Sequence, residues 1–310
     1  MASETTEHGR VSPPDPAKPA EPAEPAEAGD SGGRAPLARR RLLTLGALGA
    51  VAAAGAYAVS RGPGLPAFPQ LPGINEPVPP ELRIDPQPVD FRALEARRRI
   101  GTAAYAYEVT GRPATYYVTE PFGDRLDRWL ALHRKHIGQA PDEIRSYGAW
   151  VRGSSTSWHS SGEAIDIARL RSGGRDLTSL RHDQWRDAPA TELRRRLLLY
   201  WRTAAGLHHE FADVLTYLFD GAHANHIHVD IGRFGPEQPR LIRRSNAQVQ
   251  AVQAMCRHVW GRADVETTGD YDDVTREATT RILEQVGGPG ELADSREAWQ
   301  AFMVATMQHT

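Results

Sequence analysis

The chain has 310 residues, 40% of them hydrophobic, and a formal net charge of −2. That is enough apolar material for one mid-sized domain with extensions, or for two small ones, and the near-zero charge argues against an electrostatic nucleic-acid binder. The single cysteine, Cys256, excludes an intrachain disulfide framework and any multi-thiolate metal site, but a domain of this size can be exported and stable without disulfides. Arginine far outnumbers lysine, which occurs only at Lys18 and Lys135; we read this as genomic base composition.

Residues 1–38 are rich in Pro, Ala and Glu, including the stretch PAKPAEPAEPAEAGD. They hold too few apolar groups to offset the entropy of ordering, so disorder is predicted. Arg39-Arg40-Arg41 then precede an apolar run from Leu42 to Val59, which ends near the small-x-small triplet Ala56-Tyr57-Ala58. A basic, then apolar, then small-residue order reads as a secretory signal. The RRxLL spacing over Arg39, Arg40, Leu42 and Leu43 resembles a twin-arginine signal, with Ala38 before the pair. The run 42–59 is also long enough to span a bilayer as an uncleaved anchor, and the arginines would then keep its N-terminal side in the cytoplasm. Either way, 39–60 is a signal or membrane anchor and everything after residue 60 is expected outside the cytoplasm, wall-associated or membrane-anchored. Residues 61–89 are studded with proline and read as an extended spacer.

Residues 90–245 read as a domain. Asp90 is predicted to cap a short helix over FRALEARRRI, followed by a strand at Thr115–Thr119 and an amphipathic helix around Asp124–His136. Strand patterns recur near Glu143–Val151, Glu163–Ala168 and His226–Ile231, and helical ones at Thr191–Ala205 and Glu210–Phe219. Helices and strands mix without strict βαβ alternation, so the fold class is α+β. A helical segment, 246–310, closes the chain.

Two segments carry chemistry. In Ala164–Ala168 the alternation puts Ile165 and Ile167 on one face and Asp166 on the other, and an Asp in an otherwise apolar strand is costly unless paired or metal-bound. In His223–Ile231, period two puts His226, His228 and Asp230 on one face and Ile227, Val229 and Ile231 on the other. Placed beside His159 and Asp166 from a second strand, these imidazoles and carboxylates suit Zn²⁺, which takes nitrogen and oxygen ligands. His133, His136, His182, His208, His209, His258 and His309 are expected to be ordinary solvated side chains.

The pattern His-x6-Asp followed by His-x-His resembles the LAS group of zinc peptidases, which includes lysostaphin-type and D-Ala-D-Ala metallopeptidases. More closely, SYGAWVRGSSTSWHSSGEAIDIA with HANHIHVDIG resembles the bacterial extensin-like C-terminal family over about residues 90–235. The resemblance implies a LAS-type domain with a small antiparallel sheet and flanking helices. It implies His159, Asp166 and His228 as zinc ligands, with His226 where many LAS enzymes keep a catalytic histidine. Carboxypeptidase relatives carry a glutamate base three residues before the last ligand, where this chain has Asn225; His223 and Asp230 are further candidates near the site. The arginine that would hold a substrate oxygen is Arg152 or Arg145, and Ala149-Trp150 stand where the extensin-like family often has Cys-Arg. The implied activity is hydrolysis of peptide bonds in peptidoglycan; the alternative is a non-catalytic, metal-stabilised wall-binding protein. In the last segment Gly269, Tyr271, Asp272 and Thr275 match the loop pattern of small helical peptidoglycan-binding modules, and a capped helix pair packed on the domain explains them equally well.

Overall fold

Residues 85–152, 157–232 and 239–310 are described by a computed structural model of the chain. The segments expected to be disordered, targeting or membrane-anchoring, and most of the spacer, lie outside the described residues. Asp90 caps a helix as expected, its carboxylate accepting from the Arg92 N–H, but the helix is a three-residue 3₁₀ turn, Phe91–Ala93. The rest of the predicted helix is extended, as β1 (Glu95–Arg97) and β2 (Arg99–Ile100). β3 (Ala103–Tyr107), β4 (Arg112–Pro113) and β5 (Tyr116–Val118) follow. β1 pairs with β5, Ala96 opposite Tyr117, and this pairing overrides the helical propensity of the Leu-Glu-Ala-Arg run.

α1 (Glu120–Ile137) is the predicted amphipathic helix, longer at its start; Phe122, Leu126, Trp129 and Leu130 form its buried stripe and Gly138 ends it in the left-handed conformation. Beyond it come β6 (Glu143–Gly148), the one-turn helix α2 (Trp158–Ser161), β7 (Ala164–Ser172), β8 (Arg175–Ser179) and the one-turn α3 (His182–Trp185). α4 (Ala190–Glu210) is the central helix, with Tyr200, Trp201, Ala204, Ala205 and Leu207 fully buried. The helix expected over Glu210–Phe219 is instead the end of α4 followed by β9 (Asp213–Leu215), because Val214 pairs with Val229 of β10 (Ile227–Asp230).

Among the described residues one sheet runs β2-β3-β6-β7-β10-β9, with β4 on β3 and β8 on β7. The expected small antiparallel sheet is thus larger and mixed: β3 and β6 are parallel, joined through α1, while β7 pairs antiparallel with β6, β8 and β10. The α+β class stands. Ile165, Ile167, Ile227 and Val229 fill one sheet face and join the helices in a common core; each such side chain contributes about 1.5–3 kcal/mol by leaving water. α5 (Asn246–His258), α6 (Asp273–Gln285) and α7 (Arg296–Gln308) complete the chain, with α5 and α7 packed on α4. No described helix is long and apolar enough to cross a membrane.

Two histidines depart from their expected solvation. His133, one turn beyond Trp129, and His208, edge-on to Trp299, are completely buried.

Candidate metal centre

The sheet face opposite the core carries the polar residues that the alternation singled out. Asp166 of β7 and His228 of β10 stand directly across from each other in the antiparallel register. His159 comes from α2, not from a strand as expected. Ser157 caps that turn by accepting from the His159 N–H, and Gly162 ends it at φ +75° while returning a hydrogen bond to the His159 carbonyl. This places His159 over the β7–β10 pair.

The three side chains converge. His228 Nδ1 lies 2.9 Å from Asp166 Oδ1, His159 Nε2 lies 3.3 Å from the same oxygen, and the two ring nitrogens are 3.2 Å apart. Ligand atoms bound tetrahedrally at about 2.0–2.1 Å stand roughly 3.3–3.4 Å from one another. The triangle therefore has the dimensions of one face of such a coordination shell. Among the described residues this is the group that could hold a metal ion.

The second nitrogen of each histidine is also engaged. His159 Nδ1 donates to the Ala149 carbonyl, and His228 Nε2 lies 3.0 Å from Asp230 Oδ2, to which it donates. With a cation bound, each contact would favour the tautomer that presents a lone pair from the inward nitrogen, the usual support of a metal-bound imidazole. Asp230 is held in turn by the Gly232 N–H at 2.6 Å and is buried. Burial would raise the Asp166 carboxyl, but the charge and hydrogen bonds of His159, His226 and His228 hold it well below the ordinary range. Burial would likewise lower His228, but Asp166 and Asp230 push it up to about 10.

His226 precedes β10 and lies outside the triangle. Its Nε2 is 3.3 Å from Asp166 Oδ1, and its Nδ1 donates to Asn225 Oδ1 at 2.6 Å. Asn225 thus fixes the ring of His226 with its Nε2 beside Asp166. His223 lies in the 3₁₀ turn Gly221–Asn225 and is buried, its Nδ1 2.7 Å from Asp220 Oδ1 and its ring 5.2 Å from that of His226. Burial lowers its pKa, with Asp220 opposing.

The arginines are farther out. Arg152 is exposed on the loop between β6 and α2. Arg145 of β6 bonds Glu143 at 2.7 Å and lines a pocket with Glu108, Arg169 and Arg171, which contains none of the triangle residues. Tyr147 was missed from sequence: its ring stands edge-on to His226 at 5.9 Å, and the Arg181 guanidinium lies 5.7 Å from its centroid. The period-two spacing from Arg145 would have put Tyr147 on a common face with it. The Ala149 carbonyl, a backbone group, leaves no trace in a residue pattern.

In the last segment the Gly-x-Tyr-Asp-x-x-Thr loop has an internal structural account. Gln253 of α5 accepts from the Gly269 N–H at 2.9 Å and donates to the Asp270 carbonyl and Thr275 Oγ1, while Asp272 caps α6 through the Thr275 N–H. No protein-family model, curated protein or solved structure matches this chain.

Proposed function

We propose that this protein is an exported, LAS-type zinc hydrolase of peptide bonds in peptidoglycan, cross-links or stem peptides, with His159, Asp166 and His228 as ligands. The observation that carries the reading is the His159–Asp166–His228 triangle with both outer imidazole nitrogens engaged. Two imidazoles and one carboxylate suit zinc and leave a coordination position open. When bound, zinc supplies Lewis acidity, acidifying water and polarising a carbonyl.

The remaining chemistry falls to the protein's own side chains. His226 receives a proton at Nε2 and returns it to the leaving amine, while its Nδ1–H stays on Asn225. Asp230 keeps His228 in its ligating tautomer. Arg152, exposed at the loop before α2, meets a substrate oxygen. Asn225 in place of a glutamate favours a second reading, a non-catalytic wall binder stabilised by its metal.

The test is release of peptide fragments from purified peptidoglycan by the full-length protein, with zinc and after chelation. Zinc-dependent release supports the hydrolase. No release across several metals and wall chemotypes, with zinc still bound, overturns it in favour of the binder.

A further inference from the structure

Beside the metal centre lies a groove of about 360 Å³, within the roughly 300–1,000 Å³ of small-molecule sites. Five of its twelve lining residues are aromatic, against 7% of the whole chain, so the enrichment is local. Tyr105 and Tyr116 are buried, with ring centroids 4.5 Å apart, and the Tyr116 hydroxyl donates to the Arg99 carbonyl. Tyr107, 37% exposed, with the partly exposed Tyr117 and Trp150, gives the groove its accessible rings.

Two of those rings, Trp150 and Tyr117, are fixed in advance. The Trp150 indole N–H donates to the Val89 carbonyl at 3.0 Å, and Phe91 packs against both Trp150 and Tyr117, with centroids 5.7 and 5.2 Å away. Little freedom remains to be lost on binding. Thr110, Thr115 and Arg112 add hydroxyls and a guanidinium to the same lining. Flat rings beside scattered polar groups match a pyranose, whose C–H face packs on an aromatic ring while its edge hydroxyls seek polar partners.

We propose that this groove is a saccharide-binding site for the N-acetylated pyranose units of a glycan strand. Aromatic-lined grooves also take polyproline strands, whose backbone carbonyls need donors. Here the indole N–H is already spent on Val89, which leaves, beside the ring faces, the Thr110 and Thr115 hydroxyls, groups that both donate and accept as the hydroxyls of a sugar require. Gly148 and Ala149 belong both to the groove wall and to the metal centre: Gly148 pairs with Asp166, and the Ala149 carbonyl holds His159. A wall glycan seated here would bring its peptide branch toward the cluster. That extension rests on the hydrolase reading, whereas saccharide binding does not.

The experiment is calorimetric titration of the full-length protein with chitotetraose, a soluble oligomer of β-linked N-acetylglucosamine, with zinc and after chelation. Saturable binding is expected in both conditions, weakened at least tenfold by Tyr107→Ala and by Tyr117→Ala and retained by Tyr107→Phe. Circular dichroism melts confirm that the variants fold; the exposure of Tyr107 makes its truncation the milder one. Absence of binding by the wild type, or undiminished binding by both alanine variants, overturns the proposal. So does binding of a synthetic peptide of residues 61–84 with no binding of the sugar. Saccharide binding without wall hydrolysis sinks only the hydrolase reading; wall hydrolysis without saccharide binding sinks only this one.

Discussion

His228 engages both ring nitrogens, one toward Asp166 and one toward Asp230, so the two carboxylates have separable roles. Replacing Asp230 by Ala should keep the ligand set but lower metal affinity about 10–100-fold, the usual cost of losing an outer partner of a ligating histidine; competition against a fluorescent chelator reads this directly. An unchanged affinity would mean that Asp230 only supports the strand end through Gly232. His226→Ala should behave differently, keeping zinc and fold while peptide release falls roughly 10²–10⁴-fold. Equal release by the variant and wild type at matched zinc occupancy would move the base role to His223 or Asp230. Period two sorts Asp166 and His228 from their isoleucine and valine neighbours, but the choice of His228 over His226 and Asp230, and of His159 at all, came only from the resemblance. Asn225 was visible only as a departure from a pattern, since its role depends on a side-chain contact 2.6 Å long.

Among the elements, α2 governs the site although it is a single turn. Gly162 ends it at φ +75°, and a β-carbon there would come within 2.6 Å of Leu94 Cδ2. Gly162→Ala should therefore destabilise the protein by at least about 1–2 kcal/mol from the left-handed backbone alone, and should lower zinc occupancy as His159 shifts. Thermal melts and metal analysis on one sample test both, and a variant with wild-type zinc content would show that α2 tolerates the displacement. This turn escaped the sequence reading because four residues carry no periodicity. β1 and β9 escaped for the opposite reason. Their local sequences favour helix, and only pairing with partners distant in sequence, Tyr116–Val118 and Val229, makes them strands. α1 and α4 were legible because a long apolar stripe needs no knowledge of its partner.

Across the whole molecule, stability should depend on acid through the interior histidines. Burial lowers His133 to about 4, partly opposed by Gln139, and His208 to about 3. Above an ordinary histidine pKa of about 6.5 both folded and unfolded forms are neutral and nothing is lost. As pH falls below that value the unfolded chain takes up protons that the folded chain refuses, so stability drops until the folded pKa is reached. Each histidine then costs about 1.4 kcal/mol per pH unit over its window. Melting temperatures should fall between pH 6.5 and 4, and His208→Leu should flatten the slope; a slope unchanged in that variant would assign the loss to other groups. For the segments before residue 85, export is expected to depend on Arg39 and Arg40. Fractionation of a Lys-Lys replacement checks this, and undiminished export would remove the twin-arginine assignment while leaving an extracytoplasmic location in place.

The backbone that enters the described fold is fastened beside the metal-bearing turn. The Val89 N–H donates to the Ser160 carbonyl at 2.9 Å, one residue beyond His159, and the Val89 carbonyl takes the Trp150 indole. A pull on the chain from its N-terminal side would therefore reach α2 through Val89. With a cation bound, α2 is tied to β7 and β10 by coordination bonds in addition to its hydrogen bonds, so the centre would act as a mechanical clasp at the point where force arrives. Stretched from that end, the metal-loaded protein should yield at a higher force than the chelated one; stretched by the C-terminal helices alone, the two should differ less.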